Sequence, residues 1–163
     1  MQPAPAIQAD VASAFSVKHN RVFTRKNNQI YAIVGRNPEM KLVTTVWFDR
    51  FDSEQDFRDV HDYVLSLFAS GSYELIFADL RFQATSFETS APWLKEVFMP
   101  TLFASGLKRE ALVLAVKPLP AEVKAVSDLL ARLLEKEGDP RIRGFTDIAL
   151  AKRWLLDGRA PGA

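Results

Sequence analysis

A change of hydrophobic period near residue 50 constrains this chain more than any other feature. Before it lie three short runs rich in β-branched and aromatic residues: Val22-Phe23-Thr24, Ile30-Tyr31-Ala32-Ile33-Val34 and Leu42-Val43-Thr44-Thr45-Val46-Trp47-Phe48. Such residues suit a pleated, half-buried surface. Between them stand Arg25-Lys26-Asn27-Asn28 and Gly35-Arg36-Asn37-Pro38, turn sets in which Asn accepts positive φ and Pro stops a ladder. The three runs read as an antiparallel meander. After Phe51 the spacing becomes helical: Phe57, Val60, Val64, Leu67 and Phe68 form one stripe. Asp52 or Ser53 is placed to cap this helix, and Glu54 and Asp56 complement its dipole.

The alternation continues to the end of the chain. Tyr73–Leu80 reads as a buried strand. A second helix covers roughly 86–105, with Trp93, Leu94, Val97, Phe98 and Leu102 along one side. Thr85 and Glu88 have the spacing of a capping box, Pro92 is an alternative first helical residue, and Pro100 should kink the helix. Ala111–Val116 is a short all-apolar strand of the kind covered on both faces. Pro118 and Pro120 separate it from a third helix striped by Val123, Val126, Leu130, Leu133 and Leu134. Arg141–Phe145 is a short strand, and Asp147 caps a last helix that turns Ile148, Ala151 and Leu155 inward. The expected fold is α/β: a mixed four- to five-stranded sheet, antiparallel first and parallel later, with about four α-helices. Residues 1–16, rich in Ala, Pro and Gln, read as a flexible N-terminal tail; 17–158 form a single domain, and 159–163 a C-terminal tail.

Composition removes several function classes. The 163 residues carry 21 basic and 20 acidic side chains, a net charge of +1. That balance argues against a nucleic-acid binder. With no Cys there is no thiol catalysis, disulfide or Cys-based zinc site. Two His do not make a His-rich metal site, and no glycine pair has the spacing of a phosphate cradle, so no metal or cofactor is expected. No apolar run approaches the ~20 residues of a membrane span. The first residues lack a basic leader and carry Pro3, Pro5 and Asp10; a cytoplasmic protein is the default expectation. Lys18, Arg21, Arg25, Lys26, Arg36 and Lys41 crowd the meander whereas the first helix is acidic. Opposed charge of this kind suits a homodimer, or simply a mixed soluble surface.

Few residues point to chemistry. Asp79 and Arg81 stand at the carboxyl end of a strand, where open α/β sheets place ligands. They read either as a charged anchor for a head group or partner, with Thr85 and Ser86 beside them, or as a local ion pair. Thr85, Ser86, Thr89 and Ser90 are candidate phosphoacceptors, and helix capping explains some of them equally well. His61 lies on the edge of an apolar stripe and reads as a packing residue; neither it nor His19 is paired with a nucleophile. The acidic stretch from Asp49 to Asp62 lacks the spacing of a calcium loop. Trp47, Trp93 and Trp154 fall on core patterns.

An ordered set of short motifs carries a family resemblance. Tyr31–Phe48 as paired strands, Trp47 followed by Phe51-Asp52-Ser53-Glu54, Asp79-Leu80-Arg81, and Trp93 seven residues before Pro100 are its first part. Gly106-Leu107-Lys108-Arg109 opening a strand, and Phe145-Thr146-Asp147 before a helix with Trp154-Leu155, complete it. Over about residues 30–157 the chain resembles the small bacterial STAS-like (SpoIIAA-like) domains. These share a fold with anti-sigma-factor antagonists and are sometimes grouped with the CRAL-TRIO lipid-binding domain. The resemblance implies a four- or five-stranded sheet packed by α-helices and, for the antagonists, a kinase partner and a phosphorylated Ser or Thr at the start of the helix after the central strand. Their Asp-Ser-Ser-Gly-Leu signature is absent, and 82–90 reads Phe-Gln-Ala-Thr-Ser-Phe-Glu-Thr-Ser instead.

Three functions are therefore expected, in this order. The first is a non-enzymatic STAS-like regulatory module acting through protein contact, with a phosphorylation-switched regulator as its variant. The second is a binder of a lipid or other apolar ligand, in a cleft left by the Pro100-kinked helix with Trp93, Val97, Phe98 and Leu102. The third is an enzyme, for which Asp79 is the candidate acid or base.

Overall fold

In the computed structural model, which describes residues 4–85, 87–115 and 121–157, the meander forms as the period predicts. Strands β1 (His19–Thr24), β2 (Ile30–Asn37) and β3 (Leu42–Asp49) pair antiparallel in sequence. Asn28 adopts φ 65° in the first hairpin, the conformation for which Asn is suited. The second hairpin turns later than expected. Gly35 belongs to β2, where a Cβ would stand 2.6 Å from Thr44 Oγ1 and 2.8 Å from Val17 Cγ1, so the glycine serves a close approach of side chains to the backbone.

Helix α2 (Glu54–Ala69) follows, capped by a reciprocal box in which Ser53 accepts from the Asp56 amide and Asp56 accepts from the Ser53 amide. Strand β4 (Leu75–Gln83) runs three residues beyond the expected Leu80. Helix α3 spans 88–104 as four segments: a 3₁₀ turn Glu88–Ser90, an α turn Ala91–Trp93, a π turn Leu94–Phe98 and an α segment Met99–Ala104. Strand β5 (Arg109–Val113), α4 (Ala121–Glu137), β6 (Ile142–Phe145) and α5 (Ile148–Asp157) complete the described chain. Asp147 caps α5 by accepting from the Leu150 amide at 3.0 Å. The last segments of the sequence reading, Pro118, Pro120 and the tail 159–163, lie outside the described residues, as do the side chains of Leu133 and Leu134.

Among the described residues the sheet has six strands rather than four or five, in the order β1-β2-β3-β4-β5-β6, with every pair from β3 onward parallel. That monotonic order has a consequence for the helices, of which the described residues form five rather than four. Right-handed crossovers that always step in one direction put every crossover helix on the same face. Accordingly α2, α3 and α4 pack on Val43, Ile76, Ala78, Leu80 and Leu112. The opposite face, carrying Ile33, Val46, Phe77, Ala111 and Val113, receives the two terminal helices.

One of those terminal helices overturns the reading of residues 1–16 as a flexible tail. Ala4–Phe15 is helix α1, and Val11 and Phe15 are fully buried beneath it. The Phe15 ring packs 4.5 Å from that of Phe77, and Asn37 fixes the end of the helix by donating to the carbonyls of Phe15 and Ser16. Truncating a core phenylalanine costs about 3–5 kcal/mol. Phe15→Ala should therefore lower the unfolding free energy by an amount in that range in a urea titration, while exposed Ser13→Ala leaves it within about 0.5 kcal/mol. Equal small effects would mean that α1 does not cover the sheet.

Candidate functional site

The site predicted from sequence is built differently from the expectation. Alternation along β4 sends Leu75 and Phe77 to the α1/α5 face and Ile76, Ala78 and Leu80 to the crossover face. Asp79 and Arg81 therefore share the α1/α5 face. Arg81 Nε and Nη2 donate to the two Asp79 carboxylate oxygens at 2.9 and 2.8 Å, and the Arg81 amide donates to Asp79 Oδ1 at 3.1 Å. Asp79 is completely buried and, among the described residues, Arg81 engages both of its carboxylate oxygens. Those hydrogen bonds, reinforced by the charge of Asp79 and by Asp10 and Asp147 farther off, hold the guanidinium pKa above its usual value. The ion-pair reading describes this arrangement.

The hydroxyl cluster does not gather around that pair. The Thr85 hydroxyl accepts the Phe51 amide at 3.2 Å. The expected capping box with Glu88 is not formed, since Phe87 stands at the N-cap position without a side-chain bond. Ser90 is buried and donates to Glu54 at 3.3 Å, whereas Thr89 is exposed. Ser86 lies outside the described residues.

A different site lies on the other face. Between the sheet and helices α2, α3 and α4 is an apolar cavity of about 190 Å³. Its floor is made by Thr45 and Trp47 of β3, Ile76, Ala78, Leu80 and Gln83 of β4, Glu110 and Leu112 of β5, and Ile142 of β6. Its roof is made by Phe57, Val60, His61 and Val64 of α2, Leu94, Phe98 and Met99 of α3, and Leu130 of α4, with Phe87 at one side. Two departures from regular structure shape it. A bulge adds one residue to β4 between the pairs Val46–Asp79 and Phe48–Phe82. This shift of phase returns Gln83 to the crossover face, where its side-chain amide donates to the Thr85 carbonyl at 2.9 Å. In α3, Pro100 has no amide to offer the preceding turn, and a π turn precedes it instead of a simple kink. Of the residues expected to form the cleft Phe98 lines this cavity, whereas Trp93 and Leu102 do not and Val97 is 47% exposed.

The cavity has two ends. At one end, level with Leu80, His61 stacks on Phe57 at 4.1 Å and meets the edge of Phe98 at 4.6 Å, with Trp47 5.4 Å away. His61 Nδ1 lies 2.8 Å from the Phe57 carbonyl. A carbonyl only accepts, so Nδ1 carries the proton and Nε2 is the ring's acceptor. Burial pulls the His61 pKa down to about 4, against the raising effect of that bond, so the ring is neutral at pH 7. The packing role read from sequence holds, with cavity lining added to it.

At the other end is Glu110. It pairs with Ile76 on one side and Ile142 on the other, and it is 9% exposed. Among the described residues nothing hydrogen-bonds to its carboxyl group, and burial alone pushes its pKa up to about 7. A carboxyl left in an apolar wall without a partner is costly, which makes Glu110 a candidate functional group. Sequence reasoning passed over Glu110. The available signal was an acid at the start of an otherwise apolar run, Glu110-Ala111-Leu112-Val113-Leu114.

Compared with protein-family models, curated proteins and solved structures, the chain finds no match. Among the described residues, no helix is long and apolar enough to cross a membrane.

The sign of the Glu110 contribution follows from its direction. Its folded pKa lies above the ordinary carboxyl value of 4.5, so the native state holds a proton that the unfolded chain releases. Stability is therefore lost as pH rises from about 4.5 through about 7, by roughly 3 kcal/mol. Glu110→Gln removes this dependence. The stability advantage of the variant over the wild type should grow between pH 5 and pH 8 in paired urea titrations. The opposite trend of His61, whose depressed pKa costs stability as pH falls below about 6.5, cancels in that difference. A difference that does not change with pH would show Glu110 to be hydrated or paired.

Proposed function

We propose that this protein binds a small, mainly apolar ligand in the cavity between the sheet and helices α2, α3 and α4. The observation that carries the reading is the cavity itself, at about 190 Å³ and walled by Trp47, Phe57, Leu80, Phe98 and Leu112. Apolar clefts with a few convergent polar groups are the common form of a ligand site. A dry apolar cavity of about 150 Å³ is known to take up benzene, which scales to a ligand of roughly eight non-hydrogen atoms here. It lies beneath the Pro100 helix, where the apolar-ligand reading of the sequence expected a cleft, with Phe98 as the shared wall residue.

Binding rather than turnover is the role we assign. His61 and Glu110 are the titratable groups among the described cavity residues, and they occupy opposite ends of it. Asp79, the candidate for an enzyme, is consumed by Arg81 on the other face. The STAS-like interaction module is kept as a second reading. It is supported by a mixed sheet with helices packed on it, as the resemblance implies, although that sheet has six strands where the resemblance implies four or five. In a phosphorylated variant of that reading, Thr89 is the exposed hydroxyl among the described members of the cluster.

The cavity reading is tested with 1-heptanol, a neutral probe of the stated size, by isothermal titration calorimetry and thermal shift. Saturable binding with one site is expected. Ala78 lies in the floor, and Ala78→Leu fills the space from below. That variant should stay folded by circular dichroism and bind the alcohol at least tenfold more weakly. Absence of saturable heptanol binding to the wild type, or unchanged binding to a folded Ala78→Leu, would remove the proposal and leave the interaction module as the better reading.

A further inference from the structure

The ends of the cavity differ in chemistry, and the difference selects a class of ligand. Glu110 is level with Ile76 across the β4–β5 pair, while Trp47 stands at the level of Leu80 across the β3–β4 pair. Four residues of strand separate the two levels, or ~13 Å at the rise of a β-strand. A volume of about 190 Å³ reaching over that length has room for an unbranched chain laid along the channel. Between the ends the walls are Ala78, Leu112 and Val60, with the Thr45 hydroxyl, on the strand beside Ala78, as the polar group at mid-length.

The charge inside the channel is one-sided. Among its described lining residues there is an acid, Glu110, and neither Lys nor Arg. The acid is nearly buried and has no described hydrogen-bond partner in the protein. A site built for the carboxylate of a fatty acid would present the reverse, a cation or a group of donors at its polar end. Resting on the cavity reading above, we infer that the ligand is a straight-chain primary amine of about eight non-hydrogen atoms, with its ammonium group at Glu110 and its chain toward the rings of Trp47, Phe57 and Phe98.

The electrostatics follow from simple counting. A carboxyl group and an amine share one proton between them, and the pair is neutral whichever atom holds it. Glu110 is already withdrawn from water in the folded protein, so binding adds the desolvation of the ammonium group alone, which the opposite charge of the carboxylate offsets. A carboxylate ligand at the same place would put two like charges together in an apolar wall unless it took up protons. An alcohol of equal length retains the apolar contact and a hydrogen bond to Glu110, without the charge. The aromatic end accepts the terminal methyl group of each of them alike.

The experiment compares n-heptylamine, 1-heptanol and heptanoate on the full chain at pH 7.5 by isothermal titration calorimetry, repeated with Glu110→Gln. On the wild type the amine should bind at least tenfold more tightly than heptanoate and more tightly than the alcohol. In Glu110→Gln the ratio of amine to alcohol affinity should fall at least tenfold. If heptanol binds but the amine has no advantage over heptanoate, the assignment of ligand class is overturned while the cavity reading stands. An amine preference that survives Glu110→Gln overturns it as well, because the preference would then arise elsewhere on the surface. Failure of all three probes to bind removes both the cavity reading and this one.

Discussion

Everything in this fold depends on the one-directional order of its parallel strands. Each step from β3 to β6 moves the same way across the sheet, and each right-handed crossover therefore returns its helix to the same face. Three helices are committed to that face before any side chain is considered. The other face carries as many apolar residues and has no crossover to cover it. Only the chain outside the βαβ units remains for the task, which is why α1 and α5 lie there against Phe77, Ala111 and Val113. An Ala-rich stretch with two well-spaced apolar residues becomes part of the core because the topology leaves a surface for it.

The two faces also divide the polar groups of the interior in an instructive way. Asp79 and Glu110 are both carboxyl groups in inner strands, and each is nearly or completely buried. Asp79 has Arg81 two residues away on its own face, and the bidentate pair satisfies it locally. The neighbours of Glu110 in the sheet are Ile76 and Ile142, and above it is the cavity. Burial therefore has opposite meanings at the two positions. At Asp79 it protects a completed ion pair, and at Glu110 it leaves an acid without a described partner on the cavity wall.

Much of this architecture was legible from local pattern. The meander, the caps of α2 and α5, and the alternation of strands with helices all follow from periods and turn residues that act over a few positions. The failures share a cause, which is dependence on distant parts of the chain. Among its described side chains, helix α1 buries Val11 and Phe15 fully, too few to make a long stripe in the sequence. Gly35 resembles a turn glycine until Thr44 and Val17 are brought against it. Thr85 and Glu88 have capping-box spacing, yet the Thr85 hydroxyl serves the amide of Phe51 from another loop. Pro100 announces a disturbance of α3 but not its form as a π turn or the exposure of Val97.

The candidate site shows the same division. His61 was visible as a residue on the edge of a stripe, and Asp79 and Arg81 as a pair at two-residue spacing on one face of a strand. By itself the amino-acid sequence determined the class of fold, the order of its elements and the exclusion of thiol chemistry, because these depend on composition and short-range periodicity. Tertiary structure alone decided which face each strand residue occupies relative to the helices, where packing is incomplete, and which buried acid lacks a partner. Those properties arise from groups far apart in the chain, and the β4 bulge shows the reason in small. One extra residue reverses the phase of a strand and carries Gln83 from one face of the sheet to the other.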